Sequence, residues 1–215
     1  MSLPQSFLKS LHRPLTISSL FLLLCPHFTL GSGTTIQISD VQRLIDLAAN
    51  VSRGTSYSET TVFLDSDLDF TGKDLEPIGS STSKYFRGVF DGQGHVISSL
   101  SMISSSQLVG LFGYSRGLTI KNVILDSSCS ITSTGGYVGG IIGECYASNG
   151  PCTIENSVNM GSVTFSGSIG SSSSLYLGGV VGYLSFSSTV KNCANYGDVT
   201  HSGTSYNSNI GGIAG

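Results

Sequence analysis

The stretch Leu177-Gly178-Gly179-Val180-Val181-Gly182 sets the architecture, because its pattern of apolar-Gly-Gly-apolar-apolar-Gly recurs along the last two thirds of the chain. Further copies occupy residues 138–143 and 210–215, and residues 108–113 form a fourth in which Val109 replaces the first glycine. Similarity at a period of about 30–40 residues is typical of solenoids, propellers and other arrays. The sequence therefore predicts a repeat architecture.

A second signature, Thr-apolar-charged-Asn, ends at Asn122, Asn156 and Asn192. Residues 153–167 and 189–203 match at one constant offset, which indicates a coil of chain that stacks on its own copy. In parallel strands stacked in register, identical side chains lie above one another. We therefore predict an asparagine ladder formed by Asn122, Asn156 and Asn192, and a ring stack between Tyr137 and Tyr176.

The glycines of the repeat have a structural role in this interpretation. Glycine takes positive φ where the chain turns a corner, and it lets neighbouring backbones approach closely. A phosphate-binding loop would require a following helix and usually a lysine, and the sequence predicts neither here. The structural positions are Gly110, Gly113, Gly139, Gly140, Gly143, Gly178, Gly179 and Gly182.

The composition excludes several classes of protein. Only 11% of the 215 residues are charged whereas 39% are hydrophobic, and a disordered chain would have the opposite balance. The net charge of −3 and the lack of a basic cluster argue against nucleic-acid binding, which requires a positive surface to neutralise phosphates. The sequence carries no cofactor-binding motif, so we expect no cofactor.

Residues 1–33 have the layout of a secretory signal peptide, with a positive start at Lys9 and Arg13, an apolar stretch over residues 15–24, and small residues at the end. The alternative is a membrane anchor, but the apolar stretch is about half of the ~20 residues that span a bilayer. We expect the mature chain to be secreted or displayed on the cell surface.

Four cysteines remain beyond this segment, and an even count in a secreted chain permits two disulfides. Cys145 and Cys152 flank a turn-rich stretch, so one interpretation is a bond that closes a small loop. The alternative is that these thiols are free and fill the core as small apolar groups. No pairing is predicted for Cys129 and Cys193.

Residues 34–105 are expected to form an N-terminal cap and the first coils. A helix is predicted at about residues 40–53, with Asp40 as its N-cap and Gly54 as its stop. Asn50 begins an Asn-X-Ser sequon at the helix end. It is either a glycosylation acceptor or an ordinary asparagine.

Acidic residues alternate at Asp65, Asp67 and Asp69, so in one extended strand they would share a face. They are the candidate calcium ligands, because hard cations prefer several carboxylates. The alternative, which we favour, is a solvated edge strand kept soluble by its charges. His95 follows a Gly-rich turn, and we interpret it as a turn histidine bonded to nearby backbone.

Residues 106–215 contain the glycine-rich repeats, and the chain stops within the fourth copy, which favours a fragment of a longer protein. Two Ser-rich segments, residues 166–174 and 201–209, are predicted to be loops. Insertions in solenoids often form the contact surface. Here they are equally well explained as linkers between coils.

These motifs resemble those of the GLUG repeat family of bacterial and protist surface proteins. The Gly-Leu-x-Gly core is Gly110-Leu111-Phe112-Gly113 with its three Gly-Gly copies, and residues 38–100 resemble the leader that often precedes such repeats. The resemblance covers nearly the whole mature chain. It implies an all-β solenoid, a right-handed parallel β-helix with a short N-terminal capping helix, in a secreted or surface-attached protein.

The resemblance does not settle an activity. Some members are adhesins and some carry a separate protease domain, but this chain has no His-Glu-x-x-His motif. The preferred hypothesis is an extracellular adhesion or interaction module without catalysis of its own. Its partner would be an extracellular protein or glycan, and it would meet a membrane only through an anchor beyond Gly215.

Two alternatives remain open, a carbohydrate-active lyase or glycosidase and a purely structural spacer of a larger surface protein. Hydrolysis of a glycosidic bond requires two carboxylates about 5–10 Å apart. Acidic residues are sparse in the repeats and stand at unmatched positions, so the sequence favours the interaction module.

Overall fold

Short parallel strands form five sheets in the computed structural model, which describes residues 33–185 and 187–215. The predicted signal peptide, apart from Gly33, lies outside the described residues. Gly33–Gly215 form one compact unit. No helix of the described chain has the length and apolar character of a membrane span.

The strands are numbered along the chain and grouped here by sheet. Sheet 1 contains β1 (Thr34–Ile38), β2 (Thr60–Leu64), β4 (Val89–Asp91), β9 (Thr119–Lys121), β14 (Thr153–Glu155) and β19 (Thr189–Lys191). Sheet 2 contains β3 (Leu68–Asp69), β5 (Val96–Ser98), β10 (Ile124–Leu125), β15 (Val158–Asn159) and β20 (Ala194–Asn195). Sheet 3 contains β6 (Ser101–Ser104), β11 (Ser130–Ser133), β16 (Ser162–Phe165) and β21 (Val199–His201). Sheet 4 contains β7 (Leu108–Val109), β12 (Tyr137–Gly139), β17 (Ser168–Gly178) and β22 (Thr204–Gly211). Sheet 5 contains β8 (Phe112–Ser115), β13 (Ile142–Cys145) and β18 (Val181–Leu184).

Each coil of chain passes through the sheets in the same order. Strands β4 to β8, β9 to β13 and β14 to β18 visit sheets 1 to 5 in turn, and within each sheet the strands of these successive coils pair in parallel. A closed run of this kind buries apolar side chains inside the coil and joins its backbone groups to the coils above and below. The predicted all-β solenoid of parallel strands is confirmed.

Apolar side chains stack in columns inside the solenoid. On sheet 1, Val62 lies opposite Phe90, Phe90 opposite Ile120, and Ile120 opposite Ile154. All four side chains are fully buried. Complete burial of such a side chain is worth about 1.5–3 kcal/mol, so the columns are a major source of stability.

A single helix, α1 (Val41–Ser52), follows β1 in the described chain, one residue shorter at each end than predicted. The Asp40 side chain accepts a hydrogen bond from the Arg43 backbone N–H at 3.0 Å, as expected of an N-cap. Gly54 has φ +103°, which ends the helix. The buried face of α1 belongs to the same hydrophobic cluster as the solenoid interior.

The repeat glycines serve close approach of backbones, and the corner role predicted for them was wrong. None of the eight repeat glycines has a positive φ. A Cβ on Gly139 would collide with the Ile142 carbonyl and stand 2.6 Å from the Gly182 nitrogen. The corners after sheet 1 are formed by Asn122, Asn156 and Asn192, with φ values of 56°, 51° and 53°. Asparagine tolerates this left-handed conformation better than most residues.

The first glycine-rich copy differs from its expected alignment. Val109 lies opposite Val138 and not opposite Gly139. Phe112 lies opposite Ile142, so the first copy is one residue shorter between these two pairs. The copy therefore lacks a residue at the Gly-Gly pair, and the expected replacement of glycine by Val109 was wrong.

The predicted side-chain stacks are present, the asparagine ladder only in part. Asn192 donates to Asn156 at 3.1 Å, but Asn122 donates instead to the Asp91 carboxylate at 2.8 Å. The rings of Tyr137 and Tyr176 lie 5.2 Å apart and nearly parallel. The sequence matches between residues 153–167 and 189–203 correspond to strand pairs in register.

A second asparagine pair lies inside the solenoid. Asn159, which is fully buried, donates to the Asn195 side chain at 2.9 Å and also to the Gly161 carbonyl at 2.9 Å. The Gly161 N–H donates back to Asn159 at 3.1 Å. These contacts satisfy a buried amide that would otherwise cost several kcal/mol.

The two Ser-rich segments are strands, and their assignment as loops was wrong. Most of residues 166–174 belong to β17, and most of residues 201–209 belong to β21 and β22. Strands β17 and β22 pair with each other, from Ser168 with Thr204 to Gly178 with Gly211, across one irregularity in register. Parallel pairing between neighbouring coils continues through these segments because they occupy equivalent places in successive coils.

Candidate functional site: a groove lined by tyrosines

The three candidate calcium ligands do not share a strand. Strand β2 ends at Leu64 and β3 begins at Leu68, so Asp65 and Asp67 lie at the corner between sheets 1 and 2 and only Asp69 lies in a strand. The described residues contain no group of three or more His, Cys, Asp or Glu side chains placed to hold a metal ion. The expectation of one shared face was therefore wrong, because the chain turns between the aspartates.

Two of these aspartates bond to protein groups. Asp67 accepts hydrogen bonds from the Val96 backbone N–H at 2.9 Å and contacts the His95 Nδ1 atom at 3.1 Å. Asp69 accepts from the Thr71 hydroxyl at 2.7 Å and from its N–H at 3.0 Å. These hydrogen bonds hold the pKa of both carboxyls below the usual range. The His95 ring therefore pairs with a carboxylate rather than with nearby backbone.

The cysteines and Asn50 were the other positions singled out in the sequence. Cys145 and Cys152 form a disulfide, with Cα atoms 6.3 Å apart, as one interpretation of the sequence held. Cys129 is a buried free thiol, and its burial raises its pKa to about 11. Asn50 lies inside α1, where its side-chain oxygen accepts a hydrogen bond from Arg53 at 3.2 Å, and its glycosylation stays a prediction.

A groove of about 480 Å³ opens beside sheets 4 and 5, and we call it the tyrosine groove. Clefts of this size that combine aromatic walls with a few polar groups are the usual form of ligand sites. The tyrosine groove is lined by Ser80, Ser81, Thr82, Leu108, Tyr114, Arg116, Glu144 and Tyr146.

One row of side chains crosses the groove from coil to coil. Tyr114 in β8 lies opposite Glu144 in β13, and Glu144 lies opposite Tyr183 in β18. Parallel pairing places such neighbours about 4.7–4.9 Å apart along the stack. A carboxylate is thus set between two tyrosines by strand register alone.

Arg116 is held at the groove by aromatic rings. Its guanidinium lies 5.6 Å from the centre of the Tyr85 ring and 5.8 Å from that of Tyr114, within the range of a cation–π contact. Its Nε donates to the Tyr114 hydroxyl at 3.1 Å. The rings of Tyr85 and Tyr114 meet edge to face at 6.4 Å. The guanidinium is therefore oriented before any ligand arrives.

Glu144 is the acidic group of the groove. Burial raises the pKa of its carboxyl above the ordinary value, and the charge of Arg116 opposes that rise. No described residue donates a hydrogen bond to this carboxylate. The carboxylate oxygens remain accessible to solvent, so a ligand with hydroxyl or N–H groups would take the place of water there.

A cluster of three further rings adjoins Glu144. Tyr183 packs edge to face against Tyr137 at 5.9 Å and against Tyr176 at 4.9 Å. Burial raises the pKa of the Tyr137 hydroxyl, and the nearby Glu144 charge adds to that rise. The aromatic surface thus continues from the groove onto sheet 4.

The disulfide loop carries one wall of the groove. Tyr146 directly follows Cys145 and is 43% exposed, and its N–H donates to the Ser115 carbonyl at 2.9 Å. The loop is also fixed by the Arg87 side chain, which donates to the Asn149 carbonyl at 3.2 Å. The bond between Cys145 and Cys152 therefore positions a groove residue in addition to stabilising the fold.

A second loop forms another wall. Gly79 has φ +84°, and the Ser80 N–H donates to the Lys84 carbonyl at 2.8 Å, which closes a tight turn over residues 80–84. The Tyr114 N–H donates to the Gly79 carbonyl at 3.1 Å, so the turn is tied to β8. The wall is thus built from chain that precedes the repeats.

The tyrosine groove was not predicted from the sequence. A signal was present, because Tyr114, Glu144 and Tyr183 each follow the last glycine of a repeat copy. Equivalent positions of a solenoid stack in register, so these residues were bound to form one row. The other walls come from residues outside the repeat pattern, and nothing in their spacing points to the groove.

A second polar depression, of about 460 Å³, lies at the corner between sheets 1 and 2. Its most buried member is Asp91, which accepts from Asn122 at 2.8 Å and pairs with Lys121 at 3.2 Å. Burial alone would raise the pKa of Asp91, but hydrogen bonds from Asn122 and the Gln93 N–H, together with Lys121, hold it below the usual range. Because its partners are all supplied by the protein, Asp91 is structural.

No family model matches the chain. Halomucin from Haloquadratum walsbyi is 34% identical over 155 residues, an alignment that covers 65% of this chain. The chain spans only 2% of the length of halomucin. In structure, the chain is similar to a proposed immunoglobulin A1 protease from Bacteroides ovatus, with a TM-score of 0.52 and 20% identity. That similarity covers 83% of this chain and 60% of the other, and it concerns the fold alone.

Proposed function

We propose that the protein is an extracellular interaction module, which binds its partner through the tyrosine groove and has no catalysis of its own. The observation that carries the proposal is the groove, where aromatic rings, an oriented guanidinium and a carboxylate without protein donors meet on one scaffold. Tyrosine and arginine are the residue types that contribute most to binding energy at interfaces.

The location outside the cell is supported by two findings. Disulfides such as Cys145–Cys152 form and persist in oxidising compartments and are rare in the cytosol. The relative halomucin has a name that likens it to the mucins, which agrees with an extracellular place for this chain. Membership of the GLUG family remains a proposal that rests on the repeat motifs.

The groove favours binding over hydrolysis. A glycosidase acts through two carboxyl groups about 5–10 Å apart, and Glu144 is the only carboxylate among the groove residues of the described chain. The similarity to a proposed immunoglobulin A1 protease, at 20% identity, concerns the fold alone.

The test is a binding screen with disulfide-intact protein from an oxidising host, against arrayed glycans and a panel of secreted and surface proteins. Tyr146→Ala removes an exposed groove ring, and Tyr196→Ala, at a residue 77% exposed and outside the groove, is the matched control. We expect saturable binding that Tyr146→Ala weakens at least about tenfold and Tyr196→Ala leaves unchanged. Binding that Tyr146→Ala leaves unchanged, or a folded sample that binds nothing, would count against the proposal.

A further inference from the structure

We propose that the ligand of the tyrosine groove is a neutral pyranose-based glycan, whose hydroxyl groups donate to Glu144 while a sugar face packs on the exposed ring of Tyr146. This inference rests on the proposed function and assigns the ligand class of the same site. It is carried by the balance of charge in the groove, by the lack of protein donors to Glu144 and by the exposed ring of Tyr146.

The charges of the groove residues cancel. Arg116 contributes one positive charge and Glu144 one negative charge, and the remaining lining residues are uncharged. The carboxylate of a uronate or sialate would be attracted by Arg116 but repelled by Glu144. A cationic ligand would be attracted by Glu144 but repelled by Arg116. A neutral ligand avoids both repulsions while it uses both charged groups as hydrogen-bond partners.

The two charged groups have complementary unused capacity. A carboxylate accepts at two oxygens, and no described residue donates to that of Glu144. A guanidinium carries five N–H donors, and the hydrogen bond from Arg116 to Tyr114 uses the one on Nε. Vicinal sugar hydroxyls are donors and acceptors at once, so one pyranose can donate to Glu144 and accept from Arg116.

The walls suit the apolar faces of a sugar ring. Tyr146 offers an exposed ring, whereas Tyr114 is almost fully buried and has Arg116 over its ring, so the sugar face packs on Tyr146. Tyrosine presents an apolar face with a polar tip and has little side-chain entropy to lose. A pyranose offers C–H groups on its faces and hydroxyls at its edge, which matches this distribution of apolar and polar surface.

Isothermal titration calorimetry with neutral glucose-, galactose- and mannose-based oligosaccharides, and with uronate oligosaccharides of equal length, tests the inference. Glu144→Gln keeps the size of the side chain but removes the charged acceptor. Glu155→Gln, which breaks an ion pair with Lys191 on sheet 1, is the control for loss of a carboxylate elsewhere. We expect at least one neutral series to bind, with a dissociation constant raised about tenfold or more by Glu144→Gln and unchanged by Glu155→Gln.

Three results would overturn the inference. They are preference for the uronate series, neutral binding that Glu144→Gln leaves intact, and no binding of any neutral series by folded protein. If a protein partner still binds in a manner that depends on Tyr146, the proposed function stands and only the ligand class is wrong. Loss of both kinds of binding would remove the proposed function as well.

Discussion

Replacement of Gly143 by alanine should destabilise the solenoid by steric overlap alone. Gly143 lies in β13 and has no positive φ, so alanine can adopt its backbone conformation. An added Cβ would stand 2.7 Å from the Val109 nitrogen, 2.8 Å from the Gly113 oxygen and 2.9 Å from the Tyr137 oxygen. Ordinary contact begins near 3.4 Å, so three backbone atoms in three strands would each have to move by at least about half an ångström.

The size of the effect follows from this overlap. Overpacking of a core typically costs about 1–3 kcal/mol, and backbone atoms held by parallel pairing yield less than side chains do. We therefore expect a loss of about 3 kcal/mol, which corresponds to a fall in Tm of roughly 6–12 °C for a domain of this size. Thermal unfolding of the disulfide-intact protein, followed by circular dichroism, measures it.

Gly170→Ala is the matched control. Gly170 is exposed in β17, has no heavy atom within 4 Å of an added Cβ, and also lacks a positive φ. Its replacement should leave Tm unchanged or raise it slightly, by at most about 1 kcal/mol in stability. If Gly143→Ala and Gly170→Ala unfold at the same temperature, close approach of backbones is not why the repeat contains glycine.

Three further outcomes are expected. Asp91→Asn should cost roughly 1–3 kcal/mol at pH 7, measured by urea unfolding, because it weakens a buried hydrogen-bonded ion pair. The pKa of Asp91 is lowered in the folded protein, so the ionised carboxylate stabilises the fold above the ordinary pKa of 3.8, and this contribution is lost as pH falls through the lowered pKa. A difference in stability between the wild type and Asp91→Asn that stays constant at all pH values would contradict this. Glu144→Gln should be at least as stable as the wild type at pH 7. Burial raises the pKa of Glu144, so above that pKa the ionised carboxylate destabilises the folded state. A clear loss of stability of Glu144→Gln at pH 7 would contradict this. Reduction of the Cys145–Cys152 bond should weaken groove binding at least several-fold in a calorimetric titration, because the loop that carries Tyr146 loses one of the contacts that fix it. The circular dichroism spectrum should stay the same, and unchanged affinity would show that the hydrogen bonds of the loop hold it without the disulfide.

Much of the fold could be predicted because identical residues recur at equivalent positions. The matches between residues 153–167 and 189–203, and the pair Tyr137 and Tyr176, indicate parallel coils in register, and the structure has them so. The short amphipathic helix with its aspartate cap could also be predicted, since capping and periodicity are local properties.

Other features could not be predicted because they depend on how coils of unequal length align. The first glycine-rich copy is one residue shorter than the second, and the short glycine motif alone does not show where the missing residue falls. The Ser-rich segments become strands through pairing with the neighbouring coil, which composition does not encode. Asparagine replaces glycine at the corners after sheet 1, as its tolerance of positive φ allows.

The tyrosine groove was the feature least predictable from the sequence. Tyr114, Glu144 and Tyr183 form a row because strand register aligns them, and their shared place after the last glycine of each copy marks that row. Their side chains differ, so the shared place does not show that the row lines a groove. The wall formed by residues 80–84 and the rim residue Tyr146 reach the groove through a turn and a disulfide loop. Binding sites of solenoids are built from such variable positions on a constant scaffold.

The most direct test of the account is a nuclear magnetic resonance titration of protein with isotope-labelled tyrosine rings, using the neutral glucose-, galactose- and mannose-based oligosaccharides as probes. The account predicts that the ring signals of Tyr114 and Tyr146 shift with saturation, while those of Tyr196 and Tyr206, both exposed outside the groove, stay in place. Shifts confined to Tyr196 and Tyr206, or no shift in any ring of the folded protein, would contradict it.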